Sequence, residues 1–294
     1  MRIVDGHHHL WDLEAVRYPW LMAKGVTRFF GDPAPIQKNY LVDDLREDAR
    51  DVELTASVHV QVGAAEGEEL AETAWLSRTA DAHGLPTAIV AACDLSCDAV
   101  EARLDEQCRY ARVRGIRQIV GRSDAEDAQT GSGALLENPR WREGLALLAD
   151  RDLSFDLQLV PAQTARAAEV LAAVPGLRVA LCHCGSPWDQ TPAGLASWRR
   201  GLELVAELPG ACCKLSGFGM FDHRWTTDSV RPLIETCIDV FGAERCMFGS
   251  NFPVDKLHRD YTTLWRAYAA VTGGLDTAER QSLFGDTARR FYRL

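Results

Sequence analysis

The sequence predicts an α/β protein, a single distorted (β/α)8 TIM barrel over residues 1–294 with a long first β-to-α loop and C-terminal helices. Three observations predict it. Short apolar runs alternate with longer amphipathic ones along the whole chain. The short runs are apolar on both faces, which implies a parallel sheet with right-handed crossovers. Eight such units in this length suit a closed barrel better than an open doubly wound sheet. No G-x-G-x-x-G follows an early strand, so the usual sign of a dinucleotide domain is missing, and no Pro- or Ser-rich linker divides the chain.

The first strand is Arg2–Asp5, a β-branched run that leads into Gly6-His7-His8-His9. Leu10 to Asp43 follows without a regular period and carries Trp11, Tyr18, Trp20, Phe29, Phe30 and Tyr40. A loop of that length is a lid, a binding element or a disordered segment, and the aromatics disfavour disorder. A substrate-facing lid and an insertion packed on the rim are equal expectations. The second to fourth strands are expected at Leu54–Val62, Thr87–Cys93 and Val113–Ile119, with helices at Glu68–His83, Cys97–Arg109 and Arg140–Asp150. The fifth to eighth are expected at Ser154–Leu159, Arg178–Cys182, Ala211–Ser216 and Cys246–Gly249. Amphipathic periods place helices between them at Gln163–Val174, Leu195–Leu208 and Thr227–Phe241. Leu257–Thr272, Asp276–Phe284 and Asp286–Tyr292 close the pattern as helices.

Composition narrows the function. An apolar fraction of 47% and a charged fraction of 25% are those of a soluble globular protein, and a net charge of −10 disfavours nucleic acid as a partner. No apolar run is long enough for a membrane span, and no secretory signal is visible. The nine cysteines are an odd count without paired C-x-x-C motifs, which reads as buried reduced thiols. These features together imply a cytoplasmic protein that acts on a small molecule, with a homodimer as the default assembly.

A barrel places its chemistry at the C-terminal ends of its strands. The first end carries His7 and His9; alternate strand residues share a face, so two imidazoles converge there, suited to a divalent metal. An expression tag is the alternative origin of three histidines, but the run is short, follows a strand and continues into Leu10-Trp11. The next ends supply His59 and Gln61, then Arg117 and Gln118, then Asp156 and Gln158. The last three supply His183, then Lys214 and Ser216, then Asn251 with Asp255 just beyond. Any one of these has a structural explanation: a core histidine, an internal ion pair, or an Asp5 that orients a histidine. Ionisable groups at seven of eight strand ends instead form a site.

These residues resemble the amidohydrolase superfamily, in the branch that contains sugar-lactone and aromatic-lactone hydrolases such as L-fuconolactonase and 2-pyrone-4,6-dicarboxylate lactonase. The motifs that carry it include Asp5-Gly6-His7-His8-His9-Leu10-Trp11, Tyr18-Pro19-Trp20, Val58-His59-Val60-Gln61, Gly115-Ile116-Arg117 and Asn138-Pro139-Arg140-Trp141. Phe155-Asp156-Leu157-Gln158, His183-Cys184-Gly185-Ser186-Pro187, Lys214-Leu215-Ser216-Gly217 and Phe248-Gly249-Ser250-Asn251-Phe252-Pro253-Val254 follow in order. The resemblance implies a lactone hydrolase in which His7, His9 and His183 hold one divalent metal, zinc first, or polarise substrate without a metal. His59, Arg117, His183, Asn251 and Asp255 are the expected catalytic residues, and Trp11, Gln61, Asp156, Gln158 and Lys214 the expected substrate contacts. Phe221, His223, Arg224 and Trp225 are candidates for shaping the substrate. Related hydrolases have an aspartate where this chain has Asn251, and an amide is no carboxylate base. A histidine, then Asp255 or Asp156, is the expected replacement. A decarboxylase or hydratase of the same superfamily, and a barrel that only binds a small ligand, are the alternatives.

Overall fold

Residues 1–294 are described by a computed structural model in which eight strands form one parallel sheet in the order β1 to β8. They are β1 (Arg2–His8), β2 (Glu53–Val60), β3 (Ala88–Ala92), β4 (Val113–Arg117), β5 (Ser154–Leu157), β6 (Arg178–Leu181), β7 (Ala211–Leu215) and β8 (Cys246–Phe248). All seven neighbouring pairs are parallel. Between β8 and β1 the ladder gives way to two loop bonds, Asn251 N–H to His7 O and His9 N–H to Phe252 O, each 2.7 Å. Asp5 reinforces that seam by accepting from Ser250 N (2.8 Å), His7 N (3.2 Å) and the Tyr261 hydroxyl (3.0 Å). Its role is to hold the seam through two backbone N–H groups and a tyrosine hydroxyl rather than to orient a histidine ring.

The strands start where the apolar runs start, and most end one or two residues before the runs do. Helices cover the outside at Glu69–His83, Val100–Cys108, Pro139–Asp150, Thr164–Ala172, Pro192–Ala206, Thr227–Phe241 and Tyr261–Val271. Two cores result. The larger lies between sheet and helices. The smaller fills the barrel with Val4, Val58, Val60, Val90 and Met247, plugged from below by Phe291 and Tyr292 of the last helix, Thr287–Tyr292. No helix is long and apolar enough to cross a membrane. All nine cysteines are free thiols.

The first loop is a packed insertion with one face on the site. It runs into a helix at Val42–Asp48 that the sequence pattern did not show. Trp11 bridges to Tyr40, donates its indole N–H to Lys38 O (2.7 Å) and meets Trp20 edge-on. It is fully buried in the loop's own core, which corrects its expected place as a substrate contact.

Candidate active site

A cavity of about 290 Å³ opens at the C-terminal ends of the strands. Its wall includes His9, Arg117, Gln158, His183 and Asn251 from the barrel, and Trp20, Arg28, Phe29 and Phe30 from the first loop. A larger cavity lies at the opposite end of the barrel, around Met1, Thr55, Arg280 and Phe284, and holds none of the residues expected to do chemistry.

His7 and His9 do converge. Their rings stand 5.1 Å apart, and the His183 ring lies 4.5 Å from His7. A shift in the β1–β2 register between Asp5 and His8 accompanies this arrangement. His9 Nδ1 lies 2.6 Å from Val60 O, so the proton sits on Nδ1 and Nε2 is left with a lone pair. That Nε2 is 3.3 Å from Asn251 Oδ1, itself an acceptor. His183 Nδ1 pairs with the Ser216 hydroxyl at 3.0 Å, while its Nε2 makes no hydrogen bond and is not sealed from the cavity. Burial holds His7 and His183 well below the usual imidazole pKa and takes His9 to about 3, so all three are neutral near pH 7.

Backbone geometry shapes this wall. His183 and Asn251 have φ of +54° and +56°, conformations that side-chain-bearing residues adopt sparingly and that concentrate at functional sites. Gly217 has φ of +75°, and a Cβ there would stand 2.6 Å from His183 Nδ1. Only glycine satisfies both the conformation and the space.

Arg117, only 5% exposed, donates to Gln158 Oε1 (3.0 Å) and to Gln61 O. Neither partner is charged. Gln158 remains on the cavity wall. Gln61, expected to touch substrate, instead buttresses Arg117: its carbonyl accepts from the guanidinium and its side chain faces the Arg117 carbonyl.

Several expected site residues lie elsewhere. His59 is fully buried off the cavity wall, and its Nδ1 accepts from Leu10 N (3.1 Å), fixing the start of the loop. Asp156 and Lys214 face the barrel interior a level below the site, where they form a fully buried ion pair of 2.6 Å. The Tyr292 hydroxyl donates to Asp156 at 2.9 Å. They are structural, not substrate contacts. Asp255 is buried behind Asn251, accepting from Asn251 Nδ2 and Gly219 N at 2.7 Å each. It is not on the wall, and desolvation raises its pKa to about 7. From the segment after β7, Met220 reaches the cavity. Trp225 is in the core, Phe221 packs on Trp188, and His223 stacks on His258 at 4.3 Å. Arg224 is exposed and lies off the wall.

Sequence reasoning missed Arg28 and Arg122. Both line the cavity from connecting segments, where no period marks an inward face; only the position of Arg122 five residues past Arg117 at the end of β4 hinted at it.

The metal-binding capacity of the site can be read from its donors. Both ring nitrogens of His7 are buried without a partner, and His9 Nε2 faces the Asn251 oxygen with no proton between them. Orphaned and facing lone pairs are what a cation would satisfy; the imidazoles suit zinc, and the amide oxygen is a weaker ligand than the carboxylate it replaces. No three His, Cys, Asp or Glu side chains form a ready cage, so the fit is one of donor chemistry.

Fold and site define an α/β-barrel protein with imidazole, guanidinium and amide groups converging at its mouth. The chain belongs to the amidohydrolase family, whose model matches residues 4–294. It is 40% identical over 293 residues to the uncharacterized protein y4mH of Sinorhizobium fredii, covering 99% of this chain and 98% of that one. It is 29% identical over 306 residues to L-fucono-1,5-lactonase of Burkholderia multivorans, covering 99% and 96%. A crystal structure of an amidohydrolase from Burkholderia multivorans with bound zinc superposes with a TM-score of 0.84 at 27% identity, covering all of both chains.

Proposed function

We propose that the protein hydrolyses a lactone of a sugar acid or a small carboxylated ring. The observation that carries this reading is one cavity wall that combines a neutral His183 with an available Nε2, the His9–Asn251 pair and the Arg117 guanidinium. Its similarity to L-fucono-1,5-lactonase supports the choice of a cyclic ester.

In this reading the substrate carbonyl lies against the Arg117 N–H groups not used by Gln158 and Gln61. Arg117 is preorganised there, and a donor of this kind is worth about 3–4 kcal/mol to a developing oxyanion. His183 takes the proton of the attacking water at Nε2, with Nδ1 steadied by Ser216, and delivers it to the ring oxygen as the C–O bond breaks. A weakly basic imidazole is enough for a lactone, whose carbonyl is more reactive than that of an amide. Asn251 and His9 orient water or substrate, and Asp255 holds the Asn251 amide. His7, His9 and the Asn251 oxygen would hold a divalent ion, which when bound supplies Lewis-acid polarisation of the carbonyl.

The test is a panel of sugar and aromatic lactones that includes L-fucono-1,5-lactone, followed by acid release with and without chelator. Ring opening that depends on Arg117 and His183 supports the reading. Release of carbon dioxide from aromatic acids, with every lactone untouched, overturns it.

A further inference from the structure

The ladder bonds of β2 reach as far as Gln61, whose N–H donates to Val90 O at 2.8 Å. The next peptide unit, between Gln61 and Val62, has no strand to pair with. Side chains from two other elements satisfy it instead, one at each end. Its C=O accepts from the Arg117 guanidinium of β4, and its N–H donates to the Glu72 carboxyl of the Glu69–His83 helix at 3.0 Å. The C=O and N–H of a trans peptide point in opposite directions, so a cation and an acid face each other across a single amide. The carbonyl of Val62 takes the Trp20 indole N–H at 2.8 Å, so the same residue also seats an aromatic side chain of the cavity wall.

Glu72 is a costly residue to keep in this place. It is only 1% exposed, and it stands off the cavity wall. Its Oε1 takes the Val62 N–H, while its Oε2 has no hydrogen bond and is buried beside the Tyr18 hydroxyl of the first loop. Burial pushes the carboxyl up to about 7, although the Val62 N–H, the Tyr18 hydroxyl and Arg117 all favour its charge; Glu69 on the same helix opposes it. Its proton therefore comes and goes across neutrality. A helix packed on the barrel needs no carboxyl here. A leucine would fill the space, and a glutamine would accept the same N–H with no charge to desolvate. What only the carboxylate adds is polarisation. An ionised acceptor draws the amide proton, deepens the negative charge on Gln61 O and strengthens the bond from Arg117.

We propose that Glu72 is a positioning residue that acts through the Gln61–Val62 peptide to fix the Arg117 guanidinium at the cavity wall. It never touches substrate. The peptide restrains Nη2 of Arg117 and the Gln158 side chain restrains Nη1, so the plane of the guanidinium is set from two sides. A donor aimed at a developing oxyanion works by being held in place beforehand, and a firmer grip on Nη2 holds it better. Protonation of Glu72 weakens the acceptor and relaxes that grip. The effect on turnover rests on the function proposed above; the link between Glu72, the peptide and Arg117 rests on the geometry alone.

The experiment has two arms, with thermal melts to verify that each variant folds. In the first, which involves no turnover, NMR follows the Val62 amide and the Arg117 guanidinium signals across neutral pH. In wild type both should shift together through one inflection near pH 7, and both should be flat in Glu72→Gln. Tyr18→Phe keeps the carboxyl but removes a hydroxyl that favours its charge, so it should move both inflections upward together. In the second arm, kcat and KM on the lactone panel are compared for wild type, Glu72→Gln, Arg117→Gln and the double variant. Glu72→Gln should lower kcat about fivefold to tenfold with little change in KM, the difference between a charged and a neutral hydrogen bond. In the Arg117→Gln background the same substitution should change kcat by less than about twofold, because no guanidinium is left to place. An Arg117 signal that ignores the ionisation, or a loss from Glu72→Gln that is undiminished without Arg117, overturns the inference while the lactonase reading stands. Joint titration of Val62 and Arg117 without turnover of any lactone supports the link through the peptide and overturns the lactonase reading.

Discussion

Asn251 donates its side-chain N–H to Asp255 at 2.7 Å, and Asp255 in turn accepts the Gly219 backbone N–H at the same distance. Together they place an amide, not a carboxylate, at the end of β8, with the carboxylate one turn behind it. Asp255 acts through Asn251 and never meets the cavity. Asp255→Ala should therefore free the Asn251 amide and orphan the Gly219 N–H. We expect a loss of about 1–3 kcal/mol in stability and a fall in kcat. Asn251→Asp should set a second carboxylate against Asp255 and lower the melting temperature. Unchanged kcat and melting temperature in both variants would show that the pair has no positioning role.

Arg117 has no acidic partner to compensate its buried charge, so its presence is a cost that packing alone does not explain. Arg117→Gln should lower kcat on the true substrate by about 10²–10³, the loss seen when a preorganised oxyanion donor is removed. Melting temperature should change little, because a buried cation leaves with its bonds. Steady-state kinetics on the lactone panel, read beside a thermal melt, checks both halves. A collapse of stability with kcat intact would make Arg117 structural.

The barrel was legible because its strands are apolar on both faces and alternate with amphipathic helices, the combined pattern of a parallel sheet covered by helices. The strand-end rule found His9, Arg117, Gln158, His183 and Asn251 for the same reason: each is a polar group at, or a few residues beyond, the C-terminal end of such a run. What the pattern lacks is depth. Asp156 and Gln158 share one face of the same chain segment, yet Gln158 reaches the cavity and Asp156 is sealed a level lower with Lys214. Residue type does not distinguish them, since the plug that seals the lower level, Tyr292, is distant in sequence. His59 is another such case, with its ring claimed by Leu10 N. Arg28 and Arg122 sit on irregular segments, where nothing local encodes direction.

Lys214 and Asp156 form an ion pair from which both side chains are wholly excluded from solvent. Removing one partner leaves the other as a bare buried charge. Lys214→Met should cost about 3–5 kcal/mol, whereas Lys214→Met with Asp156→Leu should cost much less, because the desolvation penalty disappears with the second charge. Urea denaturation of wild type, both singles and the double completes the cycle. Additive losses would mean that the two groups are not coupled.

The pH dependence of stability follows from the same burial. His7, His8, His9, His59, His183 and His258 all have folded pKa values below the unfolded 6.5, chiefly through desolvation, with His9 at about 3. Above pH 6.5 these groups are neutral in both states and cost nothing. As pH falls below 6.5 the unfolded chain binds protons that the folded chain refuses, so stability drops through the window from 6.5 towards 3. Glu72 and Asp255 act in the opposite sense. Burial raises each to about 7, so their contribution is full below the unfolded carboxylate range and is lost as pH rises through 7. Six histidines outnumber two carboxylates, so the chelated protein should lose stability from pH 6.5 to 5, and His59→Gln should flatten that slope. Melting curves across this range on metal-free protein test it. Stability that is level or rising towards pH 5 would mean that the histidines are not held neutral in the fold.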